Sequence, residues 1–320
     1  MEIKVIGAGI IGLTTAVHLA EKGYEVKLVA EKFSPNTTSD KAGAIWFPYK
    51  ALPKYKVTAW SRSTLTTLKQ QARNQPHSGV SLVDLVIFTD KTSYEKEWWE
   101  DALPPQYPMS FTICDHYANR QSFYTLMNIP FLEPAIYLKY LFTRFINITR
   151  SSYEQRKVVD LAAETSDCDV VINCTGYGAK ALLKDNQLIP VRGQILVVEN
   201  TGLKQFYIDD VDQGAMAYIF TRKNEIILGG TAEENIEEAG TVPSILEDIL
   251  KRCKVLSPDI KDQKILGQYG TIRPMRKTIR LEKEKKLPII HNYGHGGAGF
   301  TMAWGCAEAV EKLLLSMQLT

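Results

Sequence analysis

The first twelve residues constrain the fold more than any other stretch of the chain. Residues 1–6 form a short apolar run that predicts a buried strand, and glycines follow at positions 7, 9 and 12 in G-x-G-x-x-G spacing. In such a motif Gly7 permits a tight turn, Gly9 lets the backbone approach a pyrophosphate, and Gly12 lets the next helix pack on the strand. Three glycines at this spacing also occur by chance, so the motif needs support from its context.

The following residues supply that context. Residues 10–22, which begin with Ile10 and Ile11, have an apolar helical face, Gly23 is suited to end the helix, and residues 25–30 predict a second strand. Glu31 lies about 20 residues past the glycines, where a carboxylate binds ribose hydroxyls and disfavours the 2′-phosphate of NADP. A βαβ unit that serves only as a scaffold is the alternative, and the register of these features argues against it.

Composition and charge exclude several classes of protein. The chain has 320 residues, 45% hydrophobic residues and a net charge of +2, which fits a globular enzyme of two domains and gives no reason to expect nucleic acid or a membrane as partner. We expect a cytoplasmic location, because there is no secretory signal and the C-terminus is not Ser-Lys-Leu. The five cysteines form no CxxC pair and are expected to be free thiols, and no metal site is predicted.

The middle of the chain predicts a mixture of elements. A polar loop at 37–39 and small residues at 42–44 follow the second strand, and their alternative interpretation is a surface turn before an apolar strand. The pattern then predicts a helix over 60–73, a strand over 80–89, an irregular segment over 98–108 and a helix that begins at Pro134. Further strands are predicted at 158–160, at 170–173 and, in antiparallel arrangement, between 190 and 231, before a helix over 244–253.

The last sixty residues carry a second distinctive pattern. Arg273 and Arg276 flank Pro274 and Met275, and the stretch 291–301 reads HNYGHGGAGFT before a helix from about Met302 to Met317. A second helix N-terminus can stabilise negative charge that develops on a bound group. The alternative is a glycine loop that only forms a tight turn, but four glycines in six residues exceed what one turn requires.

These motifs together resemble the D-amino-acid oxidase family, which includes D-aspartate oxidase. The resemblance covers nearly the whole chain: GAGIIGLTTA at 7–16, the loop at 37–44, VVINCTG at 170–176, RGQ at 192–194, LGG at 228–230, RPMR at 273–276 and HNYGHGGAGFT at 291–301. It implies an α/β fold in which a Rossmann-like FAD-binding domain is interleaved with a mixed-sheet α+β substrate domain. The FAD-binding domain would comprise residues 1–49, 133–190 and 263–320, and the substrate domain residues 50–132 and 191–262.

The resemblance also implies the site residues. Arg276 would bind the substrate carboxylate, Tyr218 would add its hydroxyl, and the carbonyl of Gly297 would accept from the amine. The FAD-binding residues would be Gly7, Gly9, Ile10, Ile11, Gly12, Glu31, Lys32, Thr37, Thr38, Ser39, Gly43, Ala44, Val158, Thr175, Gly176, Gly296, Gly297, Ala298, Gly299, Phe300 and Thr301.

The implied reaction is oxidative deamination of a D-amino acid by hydride transfer to flavin N5, with molecular oxygen as acceptor and 2-oxo acid, ammonia and hydrogen peroxide as products. Orientation suffices for this step, so the histidines are expected to be structural. The loop 209–217 is short, holds three aspartates and lacks the lid tyrosine of some family members. It motivates a preference for neutral, bulky or basic side chains. D-aspartate oxidase, a glycine or secondary-amine oxidase, and a non-catalytic nucleotide sensor remain as alternative functions. For the assembly, a homodimer is the candidate.

Overall fold

The computed structural model describes residues 1–212 and 214–318, apart from the side chains of residues 115, 116 and 318. In this part of the chain fourteen strands form one continuous mixed sheet. The strands are β1 (Glu2–Ile6), β2 (Glu25–Ala30), β3 (Val80–Thr89), β4 (Met109–Tyr117), β5 (Arg120–Leu132), β6 (Ser151–Gln155), β7 (Val170–Asn173), β8 (Leu188–Glu199), β9 (Phe206–Asp209), β10 (Ala217–Thr221), β11 (Glu225–Gly229), β12 (Glu233–Glu234), β13 (Ile265–Lys283) and β14 (Ile289–His295). The helices are α1 (Ile10–Glu21), α2 (Lys54–Asn74), α3 (Pro134–Ile146), α4 (Ala179–Leu183), α5 (Pro243–Leu256) and α6 (Gly299–Gln318).

The parallel half of the sheet has the order β14-β7-β1-β2-β6. Its central strand β1 places Val5 opposite Leu28 of β2 and Ile172 of β7, and all three side chains are fully buried. Strands covered on both faces are near-continuous apolar runs, which is what residues 3–6 and 170–172 provide. This half confirms the predicted βαβ start, and β2 has the predicted bounds of residues 25–30.

Four helices form the layer on which this sheet rests. Helix α6 packs against α1 and α2, and α1 also packs against α3. Their shared core contains fully buried Leu13 and Tyr137, and the Trp304 indole donates a hydrogen bond of 2.8 Å to the Tyr137 hydroxyl. The layer fixes the first turn of α1 and the first turn of α6 against the same edge of the sheet, and both turns line the site described below.

The antiparallel half is joined to the parallel half through β13. This strand pairs with β14 over 275–283 and with β8 over 265–276, and β8 continues to β11, β10 and β9. Helix α5 covers the outer face with a separate core around Ile249 and Cys253. The predicted antiparallel strands between 190 and 231 are therefore confirmed. The predicted domain boundaries stay a prediction, and β8 runs without interruption across the one at 190–191.

Other predictions differ in extent. Helix α2 starts six residues before the predicted residue 60. Strand β13 was not predicted as a strand, and only its RPMR segment was noticed in the sequence. The β4–β5 hairpin was missed, and the strand predicted at 158–160 is wrong: residues 156–160 have no regular structure and the Val159 side chain is 78% exposed.

Across the described residues, no helix has the length and apolar character needed to span a membrane.

Candidate functional site

A cavity of about 860 Å³ lies where the two halves of the sheet meet the first turns of α1 and α6. This volume falls within the roughly 300–1,000 Å³ of ligand sites. Most of the predicted cofactor residues line it: Gly7, Gly9, Ile10, Ile11, Glu31, Lys32, Thr37, Thr38, Ser39, Gly43, Ala44, Val158, Thr175, Gly176, Gly296, Gly297, Gly299 and Phe300. Tyr218 lines it as well, whereas Gly12, Ala298, Thr301 and Arg276 do not.

Each glycine of the first motif is required for a different structural reason. Gly7 has φ +110°, and a Cβ there would overlap the carbonyl of Cys174, the residue that follows β7. A Cβ at Gly12 would overlap the Gly7 carbonyl, so Gly12 serves the packing of α1 on the turn and does not face the cavity. Gly9 is extended and leaves the helix N-terminus open toward the cavity. These positions agree with the reasons that the spacing predicted for the three glycines.

The hydroxyl loop at 37–39 is held beside the N-terminus of α1. The Ser39 hydroxyl accepts a hydrogen bond of 3.0 Å from the backbone N–H of Ile10. The Thr37 backbone and hydroxyl both donate to Asp40, at 2.8 Å and 2.7 Å, which closes one turn of 3-10 helix over 38–41. The loop is thus part of the cavity wall and not a surface turn.

Glu31 and Val158 form one end of the cavity. Glu31 directly follows the last residue of β2, and its side chain is exposed. Among the described residues no group donates a hydrogen bond to its carboxylate, whereas the Gln155 side chain donates to its backbone carbonyl. Arg156 also lines this end and is held by Glu164 at 2.6 Å. Val158 reaches the cavity from an irregular segment, although the predicted strand is absent.

The second glycine turn forms the middle of the cavity wall. Gly294 and Gly296 have φ +88° and +56°, and α6 begins at Gly299. Thr301 does not face the cavity, because its hydroxyl donates to the Phe47 carbonyl at 3.0 Å. Thr175 enters the wall from β7, and its N–H and hydroxyl both donate to Asn173 Oδ1, at 3.2 Å and 2.7 Å.

His295, at the end of β14, is buried beside the cavity. Burial lowers the pKa of its imidazole to about 3, and its Nε2 lies 3.5 Å from the Cys306 thiol. A neutral imidazole of such low basicity is a poor proton acceptor near neutral pH. For His295 this supports a structural role, and the same role for the other histidines stays a prediction.

Tyr218 defines the other end of the cavity. Its side chain is 8% exposed, and burial raises the pKa of its phenol, while the nearby Arg273 acts in the opposite direction. The ring stacks on Phe220 with 4.8 Å between centroids. Its other contact is the backbone of Gly229 and Gly230, where any Cβ would collide with the ring. The ring is therefore fixed by packing and largely shielded from solvent.

Arg273 lines the same cavity as Tyr218, whereas Arg276 does not. The Arg273 Nη1 donates to the Thr231 carbonyl at 2.6 Å, and within the described residues this guanidinium has no carboxylate partner. A Cβ at Gly193 would overlap the guanidinium, and the Cβ position of Gly297 lies 3.6 Å from Arg273 Cδ. A cation without a counter-ion in a cavity is suited to bind an anionic ligand.

Placing Arg276 in this cavity was wrong. Arg276 Nε lies 2.9 Å from Asp185 Oδ2, and its Nη1 donates to the Thr278 carbonyl. Asp185 also accepts from the Tyr293 hydroxyl at 2.6 Å. The arginine is thus neutralised in a shallow, separate cleft beside residues 183–187.

Several lining residues had no signal in the sequence. Tyr49 lies 3.7 Å from the Cβ position of Gly297 and donates to the Met216 sulfur at 3.7 Å. An apolar wall continues from it, formed by Phe47, Ile195, Ile208, Met216 and Phe220. These residues come from four distant segments, so only the tertiary fold brings them together.

The aspartates of the loop at 209–212 do not face the cavity. Asp209 and Asp212 pair with Arg120 of β5, at 2.9 Å and 2.6 Å, and Asp210 pairs with Lys50 at 3.0 Å. None of the three lines the cavity wall. The inference of basic substrates rested on these charges, and the structure removes its basis.

The residues that line the cavity suit the successive parts of a flavin dinucleotide. One end presents an open helix N-terminus with side-chain-free backbone, which suits a pyrophosphate, and Glu31 lies beyond it for a ribose. The middle is walled by Gly296, Gly297 and Gly299, which suits a flat ring. The Asn292 Oδ1, which also borders the cavity, is buried without a hydrogen-bond partner in the described chain.

This fold and cavity define an α/β protein that binds a dinucleotide across the carboxyl edge of a parallel sheet. The sequence profile described as FAD dependent oxidoreductase matches residues 2–313. The chain belongs to that family: it is an FAD-dependent oxidoreductase.

Curated relatives cover almost the full chain. It is 35% identical over 315 residues to a D-amino-acid oxidase of Rubrobacter xylanophilus, covering 97% of this chain and 94% of the relative. It is 36% identical over 317 residues to a D-amino-acid oxidase of Streptomyces coelicolor, covering 98% and 96%. Both relatives bear the name of the family that the sequence motifs resemble.

Solved structures agree on the fold. The glycine oxidase of Bacillus cereus superposes with a TM-score of 0.79 at 17% identity, covering 98% of this chain and 97% of the other. The L-proline dehydrogenase from P. horikoshii superposes with a TM-score of 0.82 at 16% identity, covering 99% and 93%. The predicted fold class is therefore confirmed.

Proposed function

We propose that the protein is a D-amino-acid oxidase that deaminates neutral, apolar D-amino acids. The observation that carries this proposal is the guanidinium of Arg273, which has no carboxylate partner among the described residues, beside buried Tyr218 and Gly297, with an apolar wall next to them. Two relatives with that name and more than 30% identity support the same activity.

Arg273 and Tyr218 bind the substrate carboxylate. The guanidinium offers a planar pair of donors beside the largely buried Tyr218, which suits charge-assisted hydrogen bonds to a carboxylate. The carbonyl of Gly297 accepts from the amine. Two of the four groups on the substrate Cα are then fixed, so the enantiomers differ only in which of hydrogen and side chain meets the apolar wall.

FAD held by these residues would supply a two-electron acceptor for the Cα–H hydride, with molecular oxygen as the final electron acceptor. The remaining work belongs to the chain: it orients the substrate and keeps water out. Within the described lining, Glu31 is the sole carboxylate and lies at the ribose end, so no carboxylate base serves the amine. The overall reaction consumes a D-amino acid, oxygen and water and yields 2-oxo acid, ammonia and hydrogen peroxide.

The apolar wall supports a preference for apolar over charged side chains. Phe47, Ile195 and Ile208 offer no partner for a buried charge, which is costly without one. Lys41 also lines the cavity, but its ammonium lies over the Tyr269 ring, 4.5 Å from the centroid. D-aspartate oxidation is thus disfavoured. The glycine oxidase of Bacillus cereus shares the fold at only 17% identity, whereas the two relatives described above, both over 30% identical, are named D-amino-acid oxidases, so the glycine oxidase alternative is not favoured.

The test has two stages. The yellow holoprotein is mixed anaerobically with D-phenylalanine or L-phenylalanine, and only the D-enantiomer should bleach the flavin. Peroxide production is then compared for D-alanine, D-phenylalanine, D-lysine, D-aspartate and glycine, where we expect kcat/KM for D-phenylalanine to exceed that for the charged substrates at least about tenfold. Bleaching by neither enantiomer would remove the oxidase assignment, and D-aspartate as best substrate would remove the apolar preference.

An Asp210→Asn variant serves as a control for side-chain preference. Because Asp210 is paired with Lys50 and does not line the cavity, the ranking should stay unchanged. If the unmodified enzyme oxidises D-lysine well and the Asp210→Asn variant does not, the loop aspartates do select the substrate by their charge. A cytoplasmic location and a homodimer stay predictions of the sequence.

A further inference from the structure

One corner of the antiparallel sheet contacts both carboxylate-binding residues. This corner, residues 229–231, comprises the last residue of β11 and the two residues after it, and the Tyr218 ring lies directly on the backbone of Gly229 and Gly230. The carbonyl of the next residue, Thr231, accepts the 2.6 Å hydrogen bond from Arg273. A shift of this corner would therefore displace the phenol and the guanidinium together.

Helix α5 holds this corner from the outside through two consecutive residues. The Arg252 Nη1 donates to the Met216 carbonyl and, at 3.4 Å, to the Gly230 carbonyl. The Cys253 thiol contacts the carbonyls of Tyr218 and Gly229, at 3.6 Å and 3.7 Å. A thiol is a weak donor, so the guanidinium makes the stronger of the two attachments.

The two carbonyls that Arg252 joins belong to different segments. Met216 precedes β10, which carries Tyr218, and Gly230 follows β11. Among the described residues, one backbone hydrogen bond joins the two segments at this corner, beyond the pairing of β10 with β11. It runs from the Gly230 N–H to the Met216 carbonyl, at 3.3 Å. Arg252 thus braces the point where the apolar wall, the phenol and the Thr231 carbonyl meet.

The surroundings of Arg252 suit this role. Its side chain is 16% exposed, and its Nε pairs on the solvent side with Asp248 at 2.9 Å, where Asp248 is 61% exposed. The ion pair is exposed and i,i+4 on one helix, so it contributes little by itself. The donors to the two carbonyls are the contacts that reach the site.

We propose that Arg252 is a positioning residue of the substrate site, acting through the 229–231 corner on Tyr218 and Arg273. This rests on the proposed function of those two residues. Carboxylate contacts are made equally before and during the reaction, so their misplacement raises KM more than it lowers kcat. Arg252 does not line the cavity itself and reaches its wall only through the Met216 carbonyl among the described contacts; it contacts none of the predicted cofactor residues, so FAD content should not depend on it.

The experiment compares three holoenzyme variants with the unmodified enzyme. Arg252→Met removes the donors and keeps much of the stem, Arg252→Lys keeps a charge and one donor group, and Asp248→Asn removes only the solvent-side ion pair. We expect Arg252→Met to raise the KM for D-phenylalanine about tenfold with kcat within about twofold, and Arg252→Lys to show a smaller rise of about threefold. Asp248→Asn should change neither constant by more than about twofold.

Benzoate binding gives a second readout without turnover. Benzoate is an apolar carboxylate with no amine to oxidise, and its Kd follows from the change in flavin absorbance. The Kd should rise in parallel with KM across the variants. If the unmodified enzyme neither binds benzoate nor oxidises D-phenylalanine, the proposed function fails.

If the unmodified enzyme does both, the positioning role is tested alone. It is overturned if KM and Kd stay unchanged in Arg252→Met, or if Asp248→Asn matches that variant. Should Arg252→Met not fold, an unchanged KM and Kd in Arg252→Lys overturns it equally.

Discussion

Arg273 and Arg276 lie three residues apart on β13, and their side chains end in different cavities. Arg273 reaches the large cavity beside Tyr218, whereas Arg276 pairs with Asp185 in a shallow cleft. Since side chains along a strand alternate between faces, an odd spacing puts two residues on opposite faces. The two arginines of the RPMR segment therefore have separate surroundings and, we expect, separate roles.

The arginine pair gives the first prediction. Arg273→Ala should raise the KM for D-phenylalanine roughly 100-fold, because losing a buried charged partner of a carboxylate costs about 2–5 kcal/mol. FAD should stay bound, as judged by the flavin spectrum of the purified protein. Steady-state peroxide assays measure the change.

Arg276→Ala is the matched control. It should leave KM within about twofold but lower the free energy of unfolding by roughly 1–3 kcal/mol, since the Asp185 side chain, 7% exposed, keeps only the Tyr293 hydroxyl and a backbone N–H as donors among the described residues. Urea unfolding measures this loss. The opposite pattern, with KM rising in Arg276→Ala and not in Arg273→Ala, contradicts the assignment.

Gly193 gives the second prediction. Its Cβ position overlaps the Arg273 guanidinium, so Gly193→Ala must displace that group. We expect a KM for D-phenylalanine about tenfold higher, with unchanged flavin content. The control is Gly240→Ala, where the nearest atom to the new Cβ lies 3.9 Å away. Equal kinetics of the Gly193→Ala and Gly240→Ala enzymes would show that the guanidinium position does not matter.

The parts of the fold that were predictable are those set by local sequence. The βαβ start needs only two apolar runs, three glycines and a helix stop, all within residues 1–31, and its bounds were accurate. The glycines of this motif and of the second glycine turn were likewise local signals, and most of the residues predicted to bind the cofactor line one cavity. Both motifs are recognisable without long-range contacts, although the fold adds such contacts, for example between Ser39 and Ile10 and between Thr301 and Phe47.

The β4–β5 hairpin was missed for a local reason as well. Its turn residues Ala118 and Asn119 both have positive φ, +52° and +63°. Such two-residue turns are usually signalled by Asn-Gly or Asp-Gly. Ala-Asn carries no such signal, so the two strands were not recognised as a pair.

The substrate end of the site could not be read from the sequence, because its geometry depends on tertiary contacts. The choice between Arg273 and Arg276 requires the facing of β13, which is set by its pairing with β8. The neutralisation of Asp209 depends on Arg120, 89 residues away along the chain. The contact between Tyr49 and Met216 spans 167 residues.

Glu31 gives the third prediction, on the cofactor. Its exposed carboxylate borders the cavity, and we assign it to ribose hydroxyls. Glu31→Gln should weaken FAD binding about tenfold, which is the effect of roughly one charge-assisted hydrogen bond. Kd is measured by titrating apoprotein with FAD. Glu25→Gln, at the other end of β2, is the control and should bind FAD normally; equal affinity in the two variants would remove the role of Glu31.

The fourth prediction concerns acid stability and the Glu164 carboxyl. Glu164 is 8% exposed and accepts hydrogen bonds from Arg156, at 2.6 Å to each oxygen, and from Lys4 at 3.0 Å. These bonds, with Arg156 first, lower the pKa of the carboxyl to about 2 from an ordinary value of 4.5. Because the folded state has the lower pKa, the ionised carboxylate stabilises the protein above pH 4.5, and this contribution is lost as the pH falls from there toward 2.

Glu164→Gln should therefore lower the free energy of unfolding at pH 7 by roughly 1–3 kcal/mol, and the difference from the unmodified protein should fall below half by about pH 3. Urea unfolding of the holoprotein at several pH values measures it. Glu154→Gln is the control, since Glu154 also pairs with Arg156 but is 39% exposed, and it should cost less than about 0.5 kcal/mol. A difference for Glu164→Gln that stays constant from pH 7 to pH 3 would mean that the carboxyl does not couple to folding through its charge.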